Sequence, residues 1–273
     1  MTLSTLSVWL RCPICFLPLE PRPPLALTCA SGHSYDANRR GYVTLLSPKT
    51  RVVGDDAAML DARGAFLAAG HYRAIADAAS ALLPADPAQR ILDAGCGTGY
   101  YLRRALEDRP DAAALALDLS PAAVARAVRG EDRVDGVVAD MWAPLPIRDG
   151  AATAILNVFA PRNPEEFWRA LEPGGALIVV VPDGDHLGEL RERGLVLGVQ
   201  EEKRERLLSA LSPRFALEHE KPVRSALSLS PDAVDALIGM GPSAHHRDAD
   251  GPALYPHTAV TASVQVLRFR RQD

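Results

Sequence analysis

The sequence predicts an α/β protein with a mostly parallel, seven-stranded, doubly wound sheet, preceded by a small metal-held segment. Three observations carry this. The stretch Arg90-Ile-Leu-Asp-Ala-Gly-Cys-Gly-Thr-Gly99 reads as strand, tight turn and helix start. Apolar runs ending in acids, at Asp118 and Asp140, recur at the spacing of strand–helix repeats. Three of the four cysteines lie in the first 30 residues with a histidine close behind.

Glycine is wanted in the Gly95–Gly99 turn because it tolerates positive φ and lets a ligand come close to the backbone. The spacing is Gly-x-Gly-x-Gly, not the Gly-x-Gly-x-x-Gly dinucleotide fingerprint. With Asp93 before it, the motif resembles motif I of class I S-adenosylmethionine-dependent methyltransferases. In that pattern Asp118 holds the ribose hydroxyls and Asp140 contacts the adenine amino group. Strands are expected at 90–94, 114–118, 134–139, 153–158 and 176–181 with helices between them. Segments 214–229 and 258–270 read as closing antiparallel strands.

At 273 residues the chain is long enough for about two domains. It is 48% hydrophobic with a mean hydropathy near zero, as in an ordinary globular chain. No apolar run reaches the ~20 residues that span a bilayer, and the N-terminus lacks the pattern of a signal peptide, so a cytoplasmic location is expected. Net charge is −4, yet residues 1–54 hold six basic and two acidic residues. Any polyanion contact is therefore expected in that segment.

The expected organisation is a metal-binding recognition segment at 1–46, a linker and helical lead-in at 47–88, and the main α/β domain at 89–273. Within the first, Cys12-x2-Cys15-x13-Cys29-x3-His33 places four N/S ligands in two close pairs. This suits one tetrahedral, structural Zn(II) rather than a disulfide in a reducing compartment or a redox Cys-x-x-Cys. Behind it, Tyr35, Arg39, Arg40 and, further on, Lys49 and Arg51 suit stacking on unpaired bases with phosphate contact. Solvated arginines on a hairpin fit the same pattern. Cys96 reads as small-residue packing. Helices are expected over Met59–Leu67 and Ile75–Leu83. Between them Tyr72 is placed either to stack on a cofactor or to pack against the helix end. Asn157, at the end of the fourth strand, is expected to orient the acceptor. Pro173-Gly-Gly175 reads as a turn. His186 lies where it reaches the cofactor's amino-acid end or the substrate, and Met240–Arg247 is a candidate insertion beside the substrate.

Nearly end to end the chain resembles the 23S ribosomal RNA guanine-N1-methyltransferases of the RlmA type, and within them the tylosin-resistance branch. The residues that carry this are the Cys/His ribbon, Gly41–Leu46, Ala69-Gly-His-Tyr72, Asp93–Gly97, Asn157-Val-Phe-Ala-Pro-Arg-Asn163, Asp185-His-Leu187 and Met240–Ser243. The resemblance implies S-adenosylmethionine as donor and one guanine of a domain II hairpin as target, of the guanine 748 type or else the neighbouring 745 type. Macrolide (tylosin or mycinamicin type) resistance, a homodimer, and cofactor contacts by Tyr72, Gly97, Thr98 and His186 are implied as well. Asp93, Gly95, Gly99, Asp118, Asp140 and Asn157 complete the expected cofactor site. Asp140, Asp185 and His186 are the candidates to take the guanine N1 proton. Two rival readings are a natural-product methyltransferase acting on a small molecule and a binding protein that has lost activity.

Overall fold

The computed structural model describes residues 2–47, 50, 54–86, 88–196, 203–241 and 256–273. Lys49, Arg51 and residues 242–247 of the expected insertion lie outside them.

The chain opens with α1 (Leu3–Trp9), started by Thr2 and Thr5 in a reciprocal capping box. Four short strands follow, β1 (Glu20–Arg22), β2 (Ala26–Thr28), β3 (Ser34–Asn38) and β4 (Tyr42–Thr44). Then come α2 (Ala57–Ala68) and α3 (Arg73–Leu82). The α/β part is β5 (Arg90–Ala94), α4 (Tyr100–Glu107), β6 (Ala113–Asp118), α5 (Pro121–Ala127), β7 (Val134–Val138), β8 (Ala152–Val158), α6 (Pro164–Ala170) and β9 (Leu171–Pro182). It closes with α7 (Gly188–Arg191), α8 (Lys203–Leu211), β10 (Phe215–Leu229), α9 (Pro231–Gly239) and β11 (Thr258–Arg271).

Helix starts follow from short polar caps. Ser120, Asn163 and Ser230 each accept a hydrogen bond from the backbone of the first turn, and each is followed by proline. Proline at that position loses no helical bond and its φ is already helical.

Among the described residues all strands join one mixed sheet, in the order β1-β2-β3-β4-β7-β6-β5-β8-β9-β11-β10. The seven strands from β7 to β10 are the expected sheet, parallel from β7 to β9 and antiparallel at β11 and β10. β9 starts earlier than expected, at Leu171. Pro173-Gly-Gly175 is an irregularity inside its pairing with β8, not a turn before it.

Two further features depart from the sequence reading. The N-terminal segment is continuous with the main sheet, because β4 pairs in parallel with β7. No helix joins β7 to β8. Residues 139–151 form an irregular loop, in which Pro144 and Pro146 supply no N–H for helical bonds. Its place on that face is taken by α1, whose Leu6 and Trp9, with Leu10 behind them, share a core with Leu145, Ile147, Leu115 and Leu177. Hydrogen bonds fasten this seam. Arg148 Nε and Nη2 donate to the Leu10 and Leu19 carbonyls at 2.9 and 2.8 Å. Arg11 Nε donates to Leu145 O at 3.1 Å. The opposite face of the sheet is covered by α3, α4 and α5.

Candidate active site and metal centre

A cavity of about 580 Å³ opens at the C-terminal ends of the parallel strands. That volume is ordinary for a small-molecule site, and the location is where open α/β sheets bind ligands. Its floor is the glycine turn after β5. Gly95 has φ +88°, and a Cβ there would stand 2.3 Å from Ala160 Cβ, so only glycine lets the ends of β5 and β8 touch. The N–H groups of Gly95 and Cys96 donate to Leu117 O at 2.8 and 3.0 Å, tying the turn to β6. Gly97 N–H donates to Asp118 Oδ2 at 2.9 Å, and Ser120 N–H to Oδ1 at 2.9 Å. Burial nevertheless pushes the Asp118 carboxyl upward. Below it, Asp93 is pushed to about 7 by burial and by the Asp118 charge. Burial also keeps Cys96 a neutral thiol, in keeping with a packing role.

One wall is aromatic. The Tyr72 hydroxyl lies 3.3 Å from His186 Nε2, and Phe159 stands within 6.1 Å of both rings. Ser263 N–H donates to His186 Nδ1 at 3.1 Å. Nδ1 is therefore an acceptor, so the neutral ring carries its proton on Nε2 and donates it to Tyr72. Burial raises the Tyr72 hydroxyl, which stays protonated. Phe159 and Leu187, both lining the cavity, have left-handed φ of 52° and 55°. Such strain in non-glycine residues gathers at functional sites.

Of the other walls, the lead-in helix α2 and Met240–Gly241 come from segments the sequence singled out, whereas α9 and the inward-facing Arg63 were missed. Met59, Arg63 and Leu67 of α2 line the cavity, as do Leu237 and Ile238 of α9 with Met240 and Gly241 behind them. Arg63 pairs with Asp55, donates to Met240 O at 2.7 Å, and stands over Gly97, 3.3 Å from where a Cβ would be. The 59/63/67 spacing puts a cation in an apolar helical stripe, a signal the sequence did contain. Trp142, on the rim, was also missed.

Of the residues expected at the cofactor, Tyr72, Gly95, Gly97, Thr98, Asp118, Asp140 and His186 line this cavity. Asp93, Gly99 and Asn157 do not. Gly99 opens α4 with its back against Ala127. Asn157 is fully buried. Its Nδ2 donates to Ala94 O and Pro161 O at 3.0 and 2.8 Å, and its Oδ1 has no hydrogen-bond partner among the described residues. It braces the ends of β5 and β8 rather than facing an acceptor. Asp185 forms an ion pair with Arg224 outside the cavity wall. Of the three candidate proton acceptors, only Asp140 and His186 line the cavity, and the His186 nitrogens are both engaged.

Cys12, Cys15, Cys29 and His33 bring their ligand atoms within 4.8 Å of one another. Cys29 Sγ lies 3.4 Å from His33 Nδ1 and 3.5 Å from Cys15 Sγ. Those are the edge lengths of a small tetrahedron, so the set fits Zn(II) with no ligand position to spare. The Leu17 backbone pulls the Cys15 thiol down to about 7, toward the thiolate that a metal needs. Tyr35 is drawn into this cluster, its hydroxyl 3.3 Å from Cys12 Sγ. Arg39 and Arg40 are exposed on the β3–β4 turn, which lies beside the N-terminal end of β7. The cavity is at the other end of that strand, some four residues or ~13 Å on.

Residues 10–50 match the family profile described as RlmA, N-terminal, a zinc ribbon. Residues 91–175 match a methyltransferase domain profile. The chain is 44% identical to the 23S rRNA (guanine(748)-N(1))-methyltransferase of Streptomyces fradiae, over 89% of this chain and 88% of that one. The chain belongs to the 23S rRNA (guanine-N1)-methyltransferase family. A relative from Micromonospora griseorubida, named as a 23S rRNA (guanine-N(1)-)-methyltransferase with no base number, is 42% identical over 96% of this chain and 97% of its own. Among solved structures, the methyltransferase bound to the Haloferax volcanii Trm112 activator matches with a TM-score of 0.54 at 17% identity, covering 81% of this chain and 98% of that one. At that identity the match speaks for the fold alone. Membership makes the chain a methyltransferase, and a methyltransferase domain matches over residues 91–175. Among the described residues no helix is long and apolar enough to cross a membrane.

Proposed function

We propose that the chain methylates N1 of one guanine in a domain II hairpin of 23S rRNA, the guanine 748 type, and so confers resistance to macrolides of the tylosin or mycinamicin type. The observation that carries this is the pairing of β4 with β7. A ribbon matching the RlmA N-terminal family is built into the sheet that carries the cavity. The similarity to the Streptomyces fradiae enzyme, named for guanine 748, supports the choice of base. The working form is a cytoplasmic homodimer, and Cys12, Cys15, Cys29 and His33 hold one structural zinc.

S-adenosylmethionine, when bound, supplies a methyl group already activated on a sulfonium centre. The chain's residues do the rest. Asp118 and Asp140 stand where two strand ends meet the cavity and would hold the nucleoside hydroxyls and amino group. The neutral His186–Tyr72 pair would line the amino-acid end. Asn157 is a positioning residue, fixing the turn that carries Phe159–Pro161. Guanine N1 is paired in a helix, so the base must be unpaired or extruded to reach the cavity. Placement then supplies much of the acceleration. Incubation with full-length 23S RNA and labelled donor, then digestion to nucleosides, tests this. Label in N1-methylguanosine is the expected result. Label only in a small natural product, with none in RNA, would replace this reading.

A further inference from the structure

On the side of the cavity next to the ribbon, Trp142 on the rim and Arg162 just beyond it are two side chains that neither the fold nor the cofactor site explains. Trp142 lines the cavity yet is 66% exposed. Leaving an indole in water forgoes the burial that aromatic side chains normally gain. Its backbone is held from three directions. Trp142 N–H donates to Asp140 Oδ1 at 3.0 Å, and Asn163 Nδ2 donates to Met141 O and Ala143 O at 3.1 and 3.4 Å. A flat aromatic face is thus presented on a rigid turn, which is what a stacking platform needs. Between Asn163 and the cavity-lining Pro161 lies Arg162, half-buried, and none of its contacts among the described residues is to a carboxylate. Its Nη1 reaches Ala160 O at 3.5 Å. A cation left partly buried without an acid suits an anionic ligand better than a structural role.

The turn is also the link to the ribbon. A few residues past Trp142, the same loop is fastened to the ribbon through Leu145, Pro146 and Arg148. β3 runs antiparallel to β4, so the Cys29–His33 end of the ribbon lies on the cavity side of the sheet.

On the RNA reading given above, we propose that Trp142 and Arg162 form a nucleotide clamp at the cavity rim, the indole stacking on a base next to the target guanine and the guanidinium taking the adjoining phosphate. The clamp holds the hairpin between ribbon and cavity with the target base turned inward. It reads shape and stacking, not sequence. It requires the unpaired nucleotides of a loop, since a stacked duplex offers no free base face.

The test compares Trp142→Ala, Trp142→Phe, Arg162→Gln and Arg162→Lys with the wild type on a domain II hairpin. S-adenosylhomocysteine affinity is measured alongside. Trp142→Ala should raise the KM for RNA about 5- to 100-fold with cofactor affinity unchanged, and Trp142→Phe should restore most of it. Arg162→Gln should lower the salt dependence of RNA binding by about one phosphate contact, and Arg162→Lys should keep it. RNA should quench wild-type tryptophan emission and leave that of Trp142→Phe unchanged. An unchanged RNA KM in Trp142→Ala, beside an active wild type, overturns the clamp alone. Weakened cofactor binding in that variant assigns the indole to the cofactor and overturns the clamp as well. A wild type that neither binds nor methylates RNA removes the RNA reading and the clamp together.

Discussion

Val43 of the ribbon is the parallel register partner of Val137 in the central sheet, and Leu45 N–H two residues on donates to Val138 O at 2.9 Å. Ribbon and catalytic part are one hydrogen-bonded body. Excising residues 1–46 would bare the β7 edge and remove the buried Leu6, Trp9, Leu10, Val43 and Leu45 from the shared core. Each is worth about 1.5–3 kcal/mol of burial, against a total stability of about 5–15 kcal/mol for a typical domain. The remainder holds every residue that lines the cavity. The shared sheet predicts that it loses its cooperative thermal transition and its binding together. A sharp melt near that of the full chain, with S-adenosylhomocysteine still bound, would show that the halves are separable.

The Ser263–His186–Tyr72 chain predicts that His186 is not the proton acceptor. Its Nδ1 is occupied by a donor and its Nε2 carries the proton. His186→Gln should weaken cofactor binding several-fold, as for a lost hydrogen bond of about 1 kcal/mol. The pH profile of kcat should keep its acid limb. Disappearance of that limb in the variant would make His186 the base.

Asp93 predicts a pH effect on stability. Folding lifts its carboxyl from the ordinary 3.8 to about 7, so between those values the folded chain holds a proton that the unfolded chain has released. Its stabilising contribution is complete below about pH 4 and is lost as the pH rises through 7. The difference is worth at most about 4 kcal/mol. Chemical denaturation from pH 4 to 8 should show Asp93→Asn gaining on the wild type as pH rises. Parallel curves for the two would mean that Asp93 ionises normally in the fold.

Arg63 is the one guanidinium lining the cavity among the described residues. A carboxylate-bearing ligand over Gly97 would find it. Arg63→Met should weaken S-adenosylhomocysteine about tenfold or more, the size of a charged hydrogen bond. It should leave 5′-methylthioadenosine, which lacks the amino-acid end, unaffected. Equal losses for both would reduce Arg63 to a strut between α2 and Met240.

The sequence made the catalytic centre legible where chemistry and local backbone coincide. The glycine turn, the acids after it and the Cys/His knuckles each need particular residues at fixed spacing, so they can be read without tertiary knowledge. The rest depended on packing. Nothing in Gly41–Leu46 says that it will pair with β7, because an edge strand's partner is chosen by the whole fold. The loop after β7 looked like a place for a helix until α1 was seen to fill that layer. Asn157 sat at a strand end expected to face the acceptor. Its amide instead ties Ala94 to Pro161, a role set by where two loops meet in space. Arg39 and Arg40 were grouped with the recognition segment by charge, but strand direction places them away from the cavity.

The most direct test of the central claim is primer extension on a domain II hairpin after incubation with the chain and S-adenosylmethionine. N1-methylguanine cannot form its Watson–Crick pair, so reverse transcriptase halts beside it. A single strong stop at the position of guanine 748, absent when the donor is left out, is the predicted result. Full-length extension products from hairpin and whole 23S RNA alike, with S-adenosylhomocysteine binding demonstrated, would contradict it.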